Sequence, residues 1–252
     1  MRGMNQPSDA RVLVIVPAWN EQGSVAATVE EIRATNPTVD VLVVDDGSLD
    51  ATAAEAARAG ALVCRLPFNV GVGGAMRAGY RYAIRHDYDV AVQIDADGQH
   101  DPRFLAKLQH RLEDADVVIG ARFAEGSQTY HASFPRRAAM RMLASVMSRR
   151  AGTRLTDVTS GYRVANRRAM EVFAAHYPAE YLGDTVESLV IALRCGCSVT
   201  QEPVDMRPRT VGEASQTPVK AAVYLARVFV ALFLSLVRRP PRELRAMWRE
   251  SR

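Results

Sequence analysis

The residues whose types and spacing could do chemistry are concentrated in Val90-Ala-Val-Gln-Ile-Asp-Ala-Asp-Gly-Gln-His-Asp-Pro102. Val90 to Ile94 is an apolar run with the β-branched content of a buried, parallel-type strand. Asp95 and Asp97 follow it, one residue apart, and Gln99 comes next. Side chains alternate along a strand, so the two carboxylates are predicted to share one side where strand gives way to loop. Two hard carboxylate oxygens beside an amide oxygen suit Mg²⁺ or Mn²⁺ carrying a diphosphate. The plainer alternative is a solvated acidic turn that caps a helix from Pro102 to about Arg111. Glu21 and Asp46 lie just past two other apolar runs, and capping is again the alternative, since Asp and Ser favour turns and N-caps.

The elements that must position these residues alternate regularly. Arg11 to Val16 is a predicted strand, broken at Pro17-Ala-Trp-Asn-Glu21; Val25, Val29 and Ile32 then recur at the spacing of one helix face. A second strand, Val39 to Val44, ends in Asp45-Asp46-Gly47-Ser48, and an alanine-rich helix starts near Asp50. A third, Ala61 to Arg65, leads into Pro67-Phe-Asn-Val-Gly-Val-Gly-Gly74 and a helix showing Met76, Tyr80, Ala83 and Ile84. The Asp95/Asp97 strand, another helix and Asp116-Val-Val-Ile-Gly120 complete the pattern. Such alternation predicts an α/β protein with a doubly wound, mainly parallel sheet. Ligands of such sheets sit at the carboxyl ends of the strands, where Glu21, Asp46, Asp95 and Asp97 would converge. The glycine run invites a dinucleotide reading, but that fingerprint belongs after the first strand and here follows the third.

Composition narrows the class. The chain has 252 residues, 48% hydrophobic and 24% charged, ordinary for a globular protein. Its net charge of +4 is modest and no nucleic-acid partner is expected. Lys107 and Lys220 are the only lysines, so the positive charge is almost all arginine. Cys64, Cys195 and Cys197 form neither a metal-spaced set nor an even disulfide framework, which fits a reducing cytoplasm. Met1 to Arg11 is polar, unlike a signal peptide.

Pro17-Ala-Trp-Asn-Glu21, Asp45-Asp46-Gly47-Ser48, Asn69-Val-Gly71-Val-Gly73 and Asp95-Ala-Asp97-Gly-Gln99 together resemble the successive motifs of family 2 glycosyltransferases. The likeness continues through Gly120-Ala-Arg122-Phe123, Asp157-Val-Thr-Ser-Gly161-Tyr-Arg163, Glu202-Pro-Val204 and Arg209-Thr-Val-Gly212-Glu-Ala-Ser215, so it covers roughly residues 11 to 216. Within the family the chain is similar to dolichyl- and polyprenyl-phosphate sugar transferases of the mannosyl and glucosyl kinds. The resemblance implies a nucleotide-sugar-binding, glycosyltransferase A-type fold. It implies that Pro17, Glu21 and Asp46 hold the nucleoside, and that Asp95, Asp97 and Gln99 bind Mg²⁺ or Mn²⁺ with the diphosphate. It further implies that Arg122, Arg136 and Arg209 bind phosphates of acceptor or donor. Trp19 departs from the pattern, where a smaller aromatic such as Tyr is commoner.

The acceptor can be argued from chemistry. A hydroxyl acceptor needs a general base, for which Asp157, in a polar loop, is the best-placed carboxylate of the second half; the alternative is an N-cap for a helix after Ser160. A phosphate acceptor is largely ionised at neutral pH and needs positive charge instead, which the arginines at 136–137, 163 and 207–209 would supply; a solvated basic face is the alternative for each. Pro218 opens an apolar segment to Val237, interrupted by Arg227 and Ser235 and followed by Pro240-Pro241 and several arginines. It suits lying on an anionic leaflet, or packing on its own domain or a membrane partner subunit. The expected organisation is a flexible stretch over 1–10, a catalytic domain over 11–217, and an apolar helix with a basic tail over 218–252. The expected activity is inverting, metal-dependent transfer from a UDP- or GDP-sugar to a polyprenyl phosphate, peripheral on the cytoplasmic face of the membrane. A hydroxyl acceptor, or a catalytically silent nucleotide-sugar-binding module, is the alternative.

Overall fold

The structure is a computed structural model and describes residues 10–122, 134–178 and 184–207. In chain order its elements are β1 (Val12–Ala18), α1 (Val25–Thr35), β2 (Asp40–Asp45), α2 (Thr52–Arg58), β3 (Leu62–Arg65), α3 (Val72–Arg85) and β4 (Val90–Gln93). There follow α4 (Leu105–His110), flanked by short 3₁₀ turns, β5 (Val117–Ala121), α5 (Phe134–Ala151), β6 (Arg163–Asn166), α6 (Arg167–His176), α7 (Asp184–Arg194) and β7 (Val199–Pro203).

The strands form one sheet in the order β3-β2-β1-β4-β6-β5-β7. All pairings are parallel except those of β6, which runs antiparallel between β4 and β5. Pleating sends alternate residues to opposite faces. Leu13 and Ile15 of β1 therefore enter one core with Met76 and Tyr80 of α3 and Phe173 of α6. Val12, Val14 and Val16 enter the other, with Val25, Val29 and Ile32 of α1 and Leu105 and Leu108 of α4. A sheet covered on both faces explains why its strands read as near-continuous apolar runs. The order reverses at β1, which pairs with β2 on one side and β4 on the other. The loops after β1 and β4 consequently flank the crevice where open α/β sheets bind ligands.

Two expectations change. No helix follows Ser160: the chain enters β6 instead, so Asp157 does not cap one. The fourth strand stops at Gln93, so Asp95 and Asp97 are placed by the turn that follows it and not by strand alternation.

Candidate active site

The first three strand ends are stitched into one rim. The Asp46 backbone N–H donates to the Ala18 carbonyl at 2.8 Å. Asn20, in a left-handed conformation at φ 54° that Asn tolerates, donates its N–H to Ser48 Oγ at 2.9 Å, and its Oδ1 accepts the Leu49 N–H at 3.0 Å. The Glu21 N–H donates to Thr52 Oγ1 at 2.8 Å, and Ser24 Oγ donates to the Glu21 carboxylate at 2.5 Å. Asp46 reaches the glycine loop, accepting the Val70 and Gly71 N–H groups, each at 2.8 Å. Burial pushes its carboxyl above the usual carboxylate range, against the pull of those two donors. Gly47 has φ +70°, and a Cβ there would lie 2.6 Å from the Phe68 carbonyl carbon, so only glycine lets the two loops meet. Pro17 is the penultimate residue of β1, paired with Val44 of β2, and Trp19 follows the strand, 48% exposed.

After β4 the chain makes a tight acidic turn. Gln99 donates its N–H to Asp97 Oδ1 at 3.1 Å, and the Gln99 carbonyl accepts the Arg207 N–H at 3.0 Å. Asp97 and Gly98 line a cavity of about 160 Å³ with Gly23, Ser24, Thr28, Glu31 and Arg207, between this turn and α1. The Asp95 carboxylate accepts from Gln93 Nε2 at 3.2 Å, and Gly161 backs it so closely that a Cβ there would lie 2.8 Å from Oδ2.

Past β5, Arg122 and Asp157 form a two-point pair, Nε to Oδ2 at 2.6 Å and Nη2 to Oδ1 at 3.0 Å. The Arg122 N–H also donates to Asp157 Oδ2 at 3.1 Å, and Nη2 to Thr159 Oγ1 at 3.0 Å. The Asp157 side chain is fully buried, whereas that of Arg122 is 22% exposed. The structure therefore offers Asp157 as the seat of an arginine, not as a carboxylate open to solvent.

The motifs converge on the carboxyl edge of the sheet, and comparison with known proteins identifies the arrangement. The profile of Glycosyl transferase family 2 matches residues 13–173. This chain belongs to glycosyl transferase family 2. It is similar to the undecaprenyl-phosphate mannosyltransferase of Micrococcus luteus, 34% identical over 217 residues, 82% of this chain and 88% of the relative. The polyprenol monophosphomannose synthase of Mycolicibacterium smegmatis is 31% identical over 80% of this chain and 79% of its own. In fold it resembles the crystal structure of glucosyl-3-phosphoglycerate synthase from Mycobacterium tuberculosis with Mn²⁺, UDP and phosphoglyceric acid, at TM-score 0.68, 19% identity and 92% and 81% coverage. The protein is thus a nucleotide-sugar-dependent glycosyltransferase with a glycosyltransferase A-type fold.

A divalent ion such as the Mn²⁺ of the glucosyl-3-phosphoglycerate synthase structure would find a compatible donor set here. Among the described residues no group of three or more His, Cys, Asp or Glu could hold a metal by itself. Two carboxylates and an amide oxygen on one turn form the partial, all-oxygen set that Mg²⁺ or Mn²⁺ completes with substrate phosphates and water.

For this glycosyltransferase the described residues thus bring Pro17, Glu21, Asp46, Asp95, Asp97, Gln99, Arg122 and Asp157 to one edge. Arg209 lies outside the described residues, and so does the side chain of Arg136, which falls in α5. Arg163, grouped by its sequence with phosphate-binding cations, is 1% exposed in the core. Its guanidinium donates to the Ser160 and Val158 carbonyls and to Ser188 Oγ of α7. Arg207 is likewise occupied, with Glu31 at 2.7 Å and Asp101 at 3.0 Å. Residues that sequence reasoning missed are Ser48 and Thr52, which fasten the β1 loop, and Gly161, the floor under Asp95. Short hydroxyls and a glycine are common in any loop, and only the fold shows what they touch.

Proposed function

We propose that this enzyme transfers a sugar from a UDP- or GDP-sugar to a polyprenyl phosphate, with inversion and with Mg²⁺ or Mn²⁺, peripherally on the cytoplasmic face of a membrane. The polyprenyl-phosphate activities named for two relatives over most of their lengths support the acceptor class. The observation that carries the reading in this chain is the Arg122–Asp157 pair. A carboxylate that is fully buried and held at both oxygens by a guanidinium is poorly suited to take a proton from a hydroxyl. A phosphate acceptor needs no such base, being ionised already; it needs a donor of charge-assisted hydrogen bonds at a set position. Asp157 and Thr159 hold Arg122 in place for that task.

In this mechanism Pro17, Glu21 and Asp46 hold the nucleoside on the rim of the first three loops. Arg122 orients the acceptor phosphate, with Arg136 and Arg209 as further phosphate ligands. An acceptor phosphate oxygen forms the new bond to the anomeric carbon as the bond to the donor diphosphate breaks, in one step and with inversion. A divalent ion held by Asp95, Asp97 and Gln99 would neutralise the charge that develops on the leaving diphosphate.

A panel of nucleotide sugars offered with a short polyprenyl phosphate, reading released nucleoside diphosphate, tests the reading. One or more donors should turn over only when the lipid phosphate is present. Equal turnover with the dephosphorylated polyprenol would place a hydroxyl acceptor first. Binding of donors without turnover of any would leave a silent binding module.

A further inference from the structure

His100 belongs to the turn after β4, but none of the roles above uses it. Its side chain is almost wholly enclosed, and both of its ring nitrogens address the same residue. Nδ1 accepts the backbone N–H of Asp95 at 3.0 Å, so Nδ1 carries no proton and the ring proton sits on Nε2. Nε2 lies 3.7 Å from Asp95 Oδ2. The ring is itself clamped. It stacks on Tyr162 with centroids 5.1 Å apart and planes at 22°, and the Tyr162 hydroxyl donates to the Asp101 carbonyl at 3.2 Å. The His100 backbone is bridged to Met206, beyond β7.

The Asp95 carboxylate is thereby enclosed on three sides. Gln93 Nε2 donates to one oxygen, Gly161 backs the pair, and His100 Nε2 stands nearest the second oxygen. The side chain remains 38% exposed on the open side. A histidine kept for packing alone would not spend its acceptor on the backbone of a candidate metal ligand and place its donor beside the same ligand's carboxylate.

We propose that His100 is the positioning residue of Asp95. It anchors the backbone where β4 ends and, through Nε2–H, biases the carboxylate toward the orientation that meets the divalent ion. The inference rests on the reading of Asp95 as a metal ligand. Residues that orient a ligand in this way govern metal uptake, typically by about 10–100-fold. Turnover of the loaded enzyme should change far less.

The test compares wild type with two variants of the full chain. His100→Phe keeps the ring and the Tyr162 stack but loses both nitrogens. His100→Asn keeps an acceptor for the Asp95 N–H but loses the donor toward the carboxylate. Mn²⁺ uptake is read from the free-ion electron paramagnetic resonance signal in the presence of UDP or GDP. Half-saturating Mn²⁺ should rise about 10–100-fold in His100→Phe and by less in His100→Asn, with kcat at saturating Mn²⁺ little changed. ¹⁵N spectra of the metal-free chain should show His100 as the Nε2–H tautomer. Unchanged Mn²⁺ uptake in a folded His100→Phe chain would overturn the inference, as would the Nδ1–H tautomer. If the Phe variant does not fold, the Asn variant decides by the same measurement. A wild-type chain that takes up no Mn²⁺ with either nucleotide would remove Asp95 as a metal ligand, and this inference with it, whatever the variants do.

Discussion

Asp97, in the turn after β4, and Asp157, in the loop between α5 and β6, are both carboxylates, yet their surroundings differ. Asp97 lines an open cavity, and Asp97→Ala should lower kcat by at least about 10²-fold, the scale of losing one electrostatic stabiliser. Chelator should abolish activity and added Mn²⁺ or Mg²⁺ restore it; near-normal turnover of Asp97→Ala in chelator would refute the metal assignment. Asp157 is sealed beneath Arg122. Asp157→Asn should raise KM for polyprenyl phosphate while leaving kcat at saturating acceptor largely intact, because a general base would be worth about 10²–10⁴-fold in kcat. Arg122→Ala should raise the same KM by the loss of one charge-assisted hydrogen bond, about 1.5–3 kcal/mol. Donor hydrolysis without acceptor should suffer less, and an equal loss of both would put Arg122 on the donor diphosphate. These candidate residues stood out in the sequence because polar groups interrupt apolar runs there. The pairing of Arg122 with Asp157 was not, since 35 residues of chain separate them and only the fold closes that distance.

At the scale of elements, the five strands that follow apolar runs begin and end within two residues of their sequence bounds. β6 and β7 were not visible. Arg163-Val-Ala-Asn166 is four residues long and opens on an arginine, and Val199-Thr-Gln-Glu-Pro203 carries four polar or proline positions. Both are strands because of the neighbours they pair with, and pairing overrides their weak local preference. The segment leaving β7 is fastened to the turn after β4 by Arg207, through Gln99 and Asp101. The Asp101 carboxyl is pulled down to about 2, first by its hydrogen bond to Arg103 and then by smaller contributions that include Arg207. An unfolded Asp titrates near 3.9. A carboxyl depressed in the folded state contributes stability that is complete above about pH 4 and is lost as the pH falls toward 2. Arg207→Met should therefore move the acid-unfolding midpoint of the full chain upward, read by circular dichroism, with little change in stability on varying pH above 5. An unmoved midpoint would mean that the pair is screened away by solvent.

For the whole molecule, no helix among the described residues is long and apolar enough to cross a membrane, and the segment 218–237 lies outside them. Its apolar residues fall on nearly every side of a helix, more than one core face covers, and the arginines beside it would each add about 1 kcal/mol on an anionic leaflet. We propose that this segment carries the membrane association. The full-length protein should sediment with anionic liposomes, and high salt should release it only in part, because burial of apolar side chains is not screened. A chain ending at Thr217 should stay in the supernatant and still bind a nucleotide donor. A full-length chain that ignores liposomes and behaves as a compact monomer without detergent would refute the proposal.

The bridge from Met206 to His100, and the Arg207 contacts with Gln99, Asp101 and Glu31, join stretches of chain more than 100 residues apart. On the ribosome, the turn bearing Asp95 and Asp97 is made early, but the chain that braces it emerges only after β7. A nascent polypeptide stalled before residue 199 has its first six strands and the donor motifs from Pro17 to Gln99, yet lacks the last brace of the Asp95–Asp97 turn. Donor binding should accordingly appear late in synthesis, as a step and not as a gradual gain, when nascent chains stalled at successive lengths are tested for nucleotide retention.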